Sequence, residues 1–296
     1  MRVCSLLPSA TEIVADLGLA DSLVGVSAEC RWPPEMIGKP IVTAARLDSQ
    51  MLSDLEIDAA VRAATADGRS LYTVDADLIA ELQPDLIITQ DLCAVCAVSS
   101  AELSSACLLD AEVVSLDPRS YRDVAESVRL LATRLGVREQ GERIAGRMEA
   151  SLAATRRATH DLQPRPVFFA EWLEPPFCAG HWLPEMIAAA GGVDVLGRPG
   201  ERSFATTWDA VIERRPELVI AGPCGFGVEE ATARARLLDL PVAIVAVDGD
   251  SYYSRPGPRL ADGVRQLAHL LHPDVLPDPG LPAIHLGRGR VGAGSS

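Results

Sequence analysis

Two distant stretches of this chain follow one plan. DLIAELQPDLIIT runs from Asp77 to Thr89, and DAVIERRPELVIA runs from Asp209 to Ala221. Each is an acid, a short helical pattern, a proline, a second acid and an apolar run. Asp77 to Asp209 and Pro84 to Pro216 are both 132 residues apart. The proline ends the helix, because its ring clashes with the preceding turn and it lacks an N–H. The apolar run that follows suits a strand buried on both faces of a parallel sheet. A helix–strand unit repeated at this distance predicts two lobes of like construction. The competing reading is chance similarity between two generic helix–strand units. A chain of 296 residues is comfortable for two lobes.

Residues 137–163 contain no strand signal and are rich in Ala, Arg and Glu, which are good helix formers. A helix of roughly 25 residues would span about 37 Å, longer than an ordinary crossover, and predicts a rigid connector. On either side short apolar runs alternate with helical patterns. RVCSLL, LVGVS and EVVSL read as strands. Ser9 offers a helix N-cap with Glu12 three residues on. From about Ser120, Tyr121, Val124, Val128, Leu131 and Leu135 form one helical stripe. The expected fold is α/β, with two Rossmann-like lobes joined by a single long backbone helix. The lobes fall at 1–120 and 165–276, with linking helices over 121–164. Residues 277–296, rich in Gly and Pro, are expected to form a mobile tail.

Charge and composition exclude some classes. The formal net charge is −14, which argues against a nucleic-acid partner, since phosphate binding needs a basic surface. No window approaches the roughly 20 apolar residues of a membrane span. The opening MRVCSLLPSATE has no basic region followed by a long apolar stretch. The seven cysteines are odd in number and irregularly spaced, which is not a disulfide framework. Together these features predict a cytosolic protein with thiols used for packing or chemistry.

Four pieces, LLPSATEIVADLGLADSLVGVS, LQPDLIIT, PPFCAGHWLPEMIAAAGG and SYYSRPGPRLADGVRQLAHLL, occur in this order between Leu6 and Leu271. In that order the chain resembles the substrate-binding proteins of iron-siderophore and cobalamin importers, and within them the group described as cobalamin-binding proteins. The resemblance implies a ligand cleft between the lobes, at the C-terminal ends of the strands. It implies a small-molecule ligand of tetrapyrrole or corrinoid type, cobalamin first. It also implies that one acid on each lobe, Asp77 and Asp209, docks onto arginines of an ABC permease. Aspartate shortens the reach of that contact, and the missing leader argues against transport. Where sequences of this group tend to carry His-Glu-Cys, this chain has Ala28-Glu29-Cys30.

Loops that follow strands are where such a fold places its ligand. SAECRWPP brings Glu29, Cys30, Arg31 and Trp32; EPPFCAGHWLPE brings Cys178, His181 and Trp182; VDGDSYYSRPGPR brings Tyr252, Tyr253 and Arg255. These loops hold half of the chain's four Trp and half of its four Tyr, which suits a large flat or amphipathic ligand. The alternative is that these aromatics plug the base of a lobe. The loop after Leu86-Ile87-Ile88 carries Cys93 and Cys96 in a C-x-x-C spacing. With Cys30 and His181 they make a three-sulfur, one-nitrogen set for zinc, copper or iron. A redox pair, packing, and a cysteine-lined pocket in which His181 ligates cobalt are the other readings of that loop. A metal- or thiol-dependent enzyme using Cys30, Cys93, Cys96 and His181 is the alternative function.

Overall fold

The computed structural model describes residues 1–47, 52–66, 70–90 and 110–288. The chain divides into two compact units: residues 1–118 with 123–146, and residues 119–122 with 147 onward.

In unit 1 the strands are β1 (Val3–Ser5), β2 (Leu23–Val26), β3 (Thr43–Ala45), β4 (Tyr72–Val74), β5 (Leu86–Thr89) and β6 (Glu112–Ser115). Four of them form a parallel sheet in the order β2-β1-β5-β6, while β3 and β4 pair antiparallel. Helices α1 (Pro8–Asp16), α2 (Asp54–Ala66) and α3 (Ala76–Leu82) lie between the strands. Every side chain of β5 is buried, as expected of a strand covered on both faces. Burying a side chain the size of Ile87 or Ile88 stabilises the fold by about 1.5–3 kcal/mol. The helix expected to be capped by Ser9 begins two residues earlier, at Pro8. Pro8 occupies its first turn and Leu7 is the extended N-cap residue, with no side-chain cap. The fixed φ of proline suits the first helical position, and Ser9 is thereby taken into the helix.

Helix α4 (Tyr121–Arg134) buries Tyr121, Val124, Val128 and Leu131. Gly136, at φ 76°, follows it, and helix α5 (Arg138–Thr159) then runs for 22 residues, about 33 Å at 1.5 Å per residue. The chain crosses between the units at 118/119, at 122/123 within α4, and at 146/147 within the long helix α5.

Unit 2 holds β7 (Arg165–Leu173), β8 (Pro176–Cys178), β9 (Gly192–Asp194), β10 (Phe204–Ala205), β11 (Leu218–Ala221), β12 (Ala243–Val247) and β13 (Ala283–Arg288). The sheet runs β10-β8-β7-β11-β12-β13, with β9 also on β7. β7, β11 and β12 are parallel, the α/β core of the unit, and β8, β10 and β13 add antiparallel edges. The helices are α6 (Leu183–Ala189), α7 (Trp208–Glu213), α8 (Val228–Ala235) and α9 (Leu260–Leu271). The expected mobile tail is corrected here: residues 283–288 form β13, which pairs antiparallel with β12, with a register shift between Ile244 and Val245, and covers that edge.

The sequence repeat is a structural repeat. Asp75 caps α3 by accepting the Leu78 N–H at 2.9 Å, and Thr207 caps α7 by accepting the Ala210 N–H at 3.2 Å. Gln83 (φ 43°) and Arg215 (φ 52°) turn the chain left-handed before each proline. The Asp85 and Glu217 N–H groups, both at 2.8 Å, then bond to Arg2 and Pro166 carbonyls at the starts of β1 and β7.

Candidate functional site

The loop after β2 carries the candidates of unit 1. Thr43 donates its hydroxyl to Ser27 Oγ (3.1 Å) and accepts the Ala28 N–H (3.2 Å), which fixes the start of the loop. Cys30 turns inward: it is 7% exposed, its Sγ lies 3.0 Å from Thr11 Oγ1, and that hydroxyl donates to Ser5 Oγ at 2.9 Å. Arg31 and Trp32 point outward, Trp32 with 43% of its surface exposed, and Arg31 stands 3.7 Å from Glu29.

In unit 2 the loop 179–182 is clamped to the loop 198–203. Arg198 N–H donates to Ala179 O (3.0 Å), Gly200 N–H to His181 O (2.9 Å) and His181 N–H to Glu201 O (2.7 Å). Gly180 is required for this closeness, because a Cβ there would stand 2.5 Å from Ser203 N and 2.8 Å from Glu201 O. The Glu171 carboxyl ties both loops from one side, accepting the Gly180 N–H at 2.7 Å and the Ser203 hydroxyl at 2.5 Å. Burial pushes the Glu171 pKa up to about 7 against the pull of these two bonds. Cys178, on the neighbouring strand, is pushed up to about 12, chiefly by burial, so its thiol is inert at neutral pH.

This clamp holds His181 at φ 50°, a strained setting for a residue with a Cβ. Its Nε2 is buried with no hydrogen-bond partner, the one such side-chain nitrogen or oxygen among the described residues. An unpaired buried polar atom costs about 1–3 kcal/mol. Burial, followed by the charges of Arg202 and Arg119, lowers the His181 pKa, so the ring is neutral at pH 7. His181 lines a cavity of about 420 Å³ with Arg119, Arg198, Arg202, Glu201 and Phe204. The Arg198 guanidinium lies over the Phe204 ring, 4.4 Å from its centroid.

Three of the expected ligand contacts are buried within unit 2. Tyr253 is fully buried, with its ring 5.1 Å from Phe169 and its hydroxyl donating to Gln266 Oε1 at 2.6 Å. Trp182 is 6% exposed and donates its ring N–H to Tyr253 O at 2.8 Å. Arg255 is 8% exposed and grips the Asp250 carboxylate with two bonds of 2.9 and 2.6 Å. Each satisfies its polar end inside unit 2, as a buried polar group must. Tyr252 is half-buried, with Arg259 over its ring at 5.6 Å. Cys93 and Cys96 lie outside the described residues. Among the described residues no three His, Cys, Asp or Glu side chains gather as a metal site. The three arginines escaped the sequence reading because they come from two separate segments; the only signal was a pair of them about a glycine turn in RPGER.

The sequence profile described as periplasmic binding protein matches residues 3–236. The chain belongs to that family. Among curated relatives, the vitamin B12-binding protein of Vibrio cholerae serotype O1 is 24% identical over 91% of this chain and 88% of its own length. The uncharacterized ABC transporter substrate-binding lipoprotein YvrC of Bacillus subtilis is 22% identical over 93% and 81%. Among solved structures, the periplasmic vitamin B12 binding protein BtuF of Vibrio cholerae is 22% identical with a TM-score of 0.64, covering 91% of this chain and 96% of its own. A periplasmic heme-binding protein from Pseudomonas aeruginosa reaches a TM-score of 0.70 at 17% identity, over 95% and 97%. At such identities these likenesses speak for the fold: two α/β lobes with one joining helix. The expectation of a cytosolic protein is overturned by this family, whose members here are periplasmic or lipoprotein binding proteins. Of the described cysteines, Cys4, Cys30 and Cys178 are buried and Cys224 is exposed.

Proposed function

We propose that the chain is a substrate-binding protein of an ABC-type importer and that its ligand is a corrinoid or related tetrapyrrole. The observation that carries this reading is the length of the likeness. Vitamin B12-binding and heme-binding proteins align with 91–95% of this chain, through both units rather than one shared module. Fold alone does not fix a ligand, so the reading also draws on side chains. On unit 1 we assign the ligand contacts to Glu29, Arg31 and the exposed Trp32. On unit 2 we assign them to His181, whose Nε2 lacks a partner, and to Tyr252. Cobalamin or heme is in this reading cargo, not a resident cofactor. Asp77 and Asp209 are the candidate permease contacts; both are exposed in the first turns of α3 and α7. Native mass spectrometry after incubation with cyanocobalamin, and separately with hemin, tests the reading. A one-to-one adduct with at least one of them is expected, and bare protein with both would reject it.

A further inference from the structure

We infer that the cavity around His181 is an anion subsite, and that it reads an acidic substituent, a carboxylate or phosphate, on the ligand. This rests on the reading of the chain as a tetrapyrrole or corrinoid binder and narrows it to ligands that carry such a group.

Charge comes first. The chain as a whole is acidic, at −14, yet the cavity lining has three guanidinium groups, Arg119, Arg198 and Arg202, against one carboxylate, Glu201. Guanidinium forks match carboxylate and phosphate oxygens with paired N–H donors. The Arg198–Glu201 contact, 3.3 Å long, joins two side chains more than half exposed. Such a pair is weak and exchanges readily for a better-placed anion.

Geometry is the second, independent ground. The buried Nε2 of His181 lacks a partner, and a neutral imidazole carrying its proton on that nitrogen can donate it to an anion oxygen. The backbone that carries the ring is fixed, because it is bonded on both sides to Gly200 and Glu201. Stacking on Phe204 likewise holds the Arg198 guanidinium. Donors fixed in advance lose little freedom when the anion arrives. The cavity, about 420 Å³, lies near the lower end of ligand pockets, which run from about 300 to 1,000 Å³. It therefore suits a substituent rather than a whole macrocycle.

The test uses the full chain and two arms. In the first, citrate is titrated while the ¹⁵N resonance of His181 Nε2 is followed, with His181→Asn for assignment. A saturable shift in the wild type that is lost in Arg198→Gln/Arg202→Gln is expected; both arginines are exposed, so the variant should fold, as checked by its Tm. No shift in the wild type would overturn the subsite. In the second arm, affinities for hemin and for its dimethyl ester are compared. A preference of tenfold or more for the free acid, abolished in the double variant, is expected. Equal binding of acid and ester would overturn the assignment of a ligand acid to this cavity while leaving tetrapyrrole binding intact. Binding of neither, nor of cyanocobalamin, with the citrate shift retained, would remove the corrinoid or tetrapyrrole reading and leave the anion site standing.

Discussion

Replacing Glu171 by Gln should change how stability depends on pH. In the fold this carboxyl is held between Gly180 and Ser203, and burial raises its pKa from 4.5 to about 7. A raised carboxyl pKa means that the fold prefers the neutral form. Its stabilising contribution is therefore fully present below about pH 4.5 and is lost as pH rises through about 7. At about 1.4 kcal/mol per pH unit, the gap corresponds to roughly 3 kcal/mol as an upper value. Asp194 has its pKa raised by burial as well and adds a slope of the same sign in both proteins. Urea unfolding between pH 4.5 and 7.5 measures the effect. Trp172, Trp182 and Trp208 all lie in unit 2, so tryptophan emission reports mainly on the unit that contains Glu171. The wild type should lose up to about 3 kcal/mol more than Glu171→Gln across that range. Parallel curves for the two proteins would refute the argument that this carboxyl is held neutral by burial.

Gly180→Ala should push apart the loops at 179–182 and 198–203, since the new Cβ meets backbone rather than a movable side chain; a loss of about 1–3 kcal/mol is expected from chemical denaturation. Trp182→Ala should cost about 3–5 kcal/mol of stability, as for other buried aromatics, whereas Trp32→Ala should change stability by no more than about 0.5 kcal/mol. The same Trp32 variant should weaken ligand binding by about 0.5–1.5 kcal/mol, read by calorimetry. Asp77→Arg/Asp209→Arg should leave ligand affinity unchanged and reduce ligand uptake by vesicles containing the permease; unchanged uptake would remove both residues from docking.

What could be read from the sequence was local. The repeat at Asp77 and Asp209 was legible because a helix stop, a proline and a strand start lie within a few residues of each other, and the left-handed turns at Gln83 and Arg215 are its physical basis. The joining helix was legible because strand formers are missing over a long window. The direction of a loop side chain was not. Trp182 turns inward because its N–H finds the Tyr253 carbonyl, 71 residues away, and nothing near Trp182 in the chain announces that acceptor. The arginine-lined cavity was hidden for the same reason, since Arg119 reaches it from a segment remote from residues 198–204. The edge strand at 283–288, AIHLGR, was hidden because the Gly- and Pro-rich residues around it read as a tail and its pairing is supplied only by β12.

A fluorescence titration with cyanocobalamin and with hemin tests whether this chain binds a corrinoid or tetrapyrrole. Saturable quenching of tryptophan emission at micromolar concentration, with a one-to-one endpoint, is expected for at least one of the two. Folded protein whose emission and absorption spectra stay unchanged, beyond inner-filter attenuation, with both ligands in tenfold excess would contradict it.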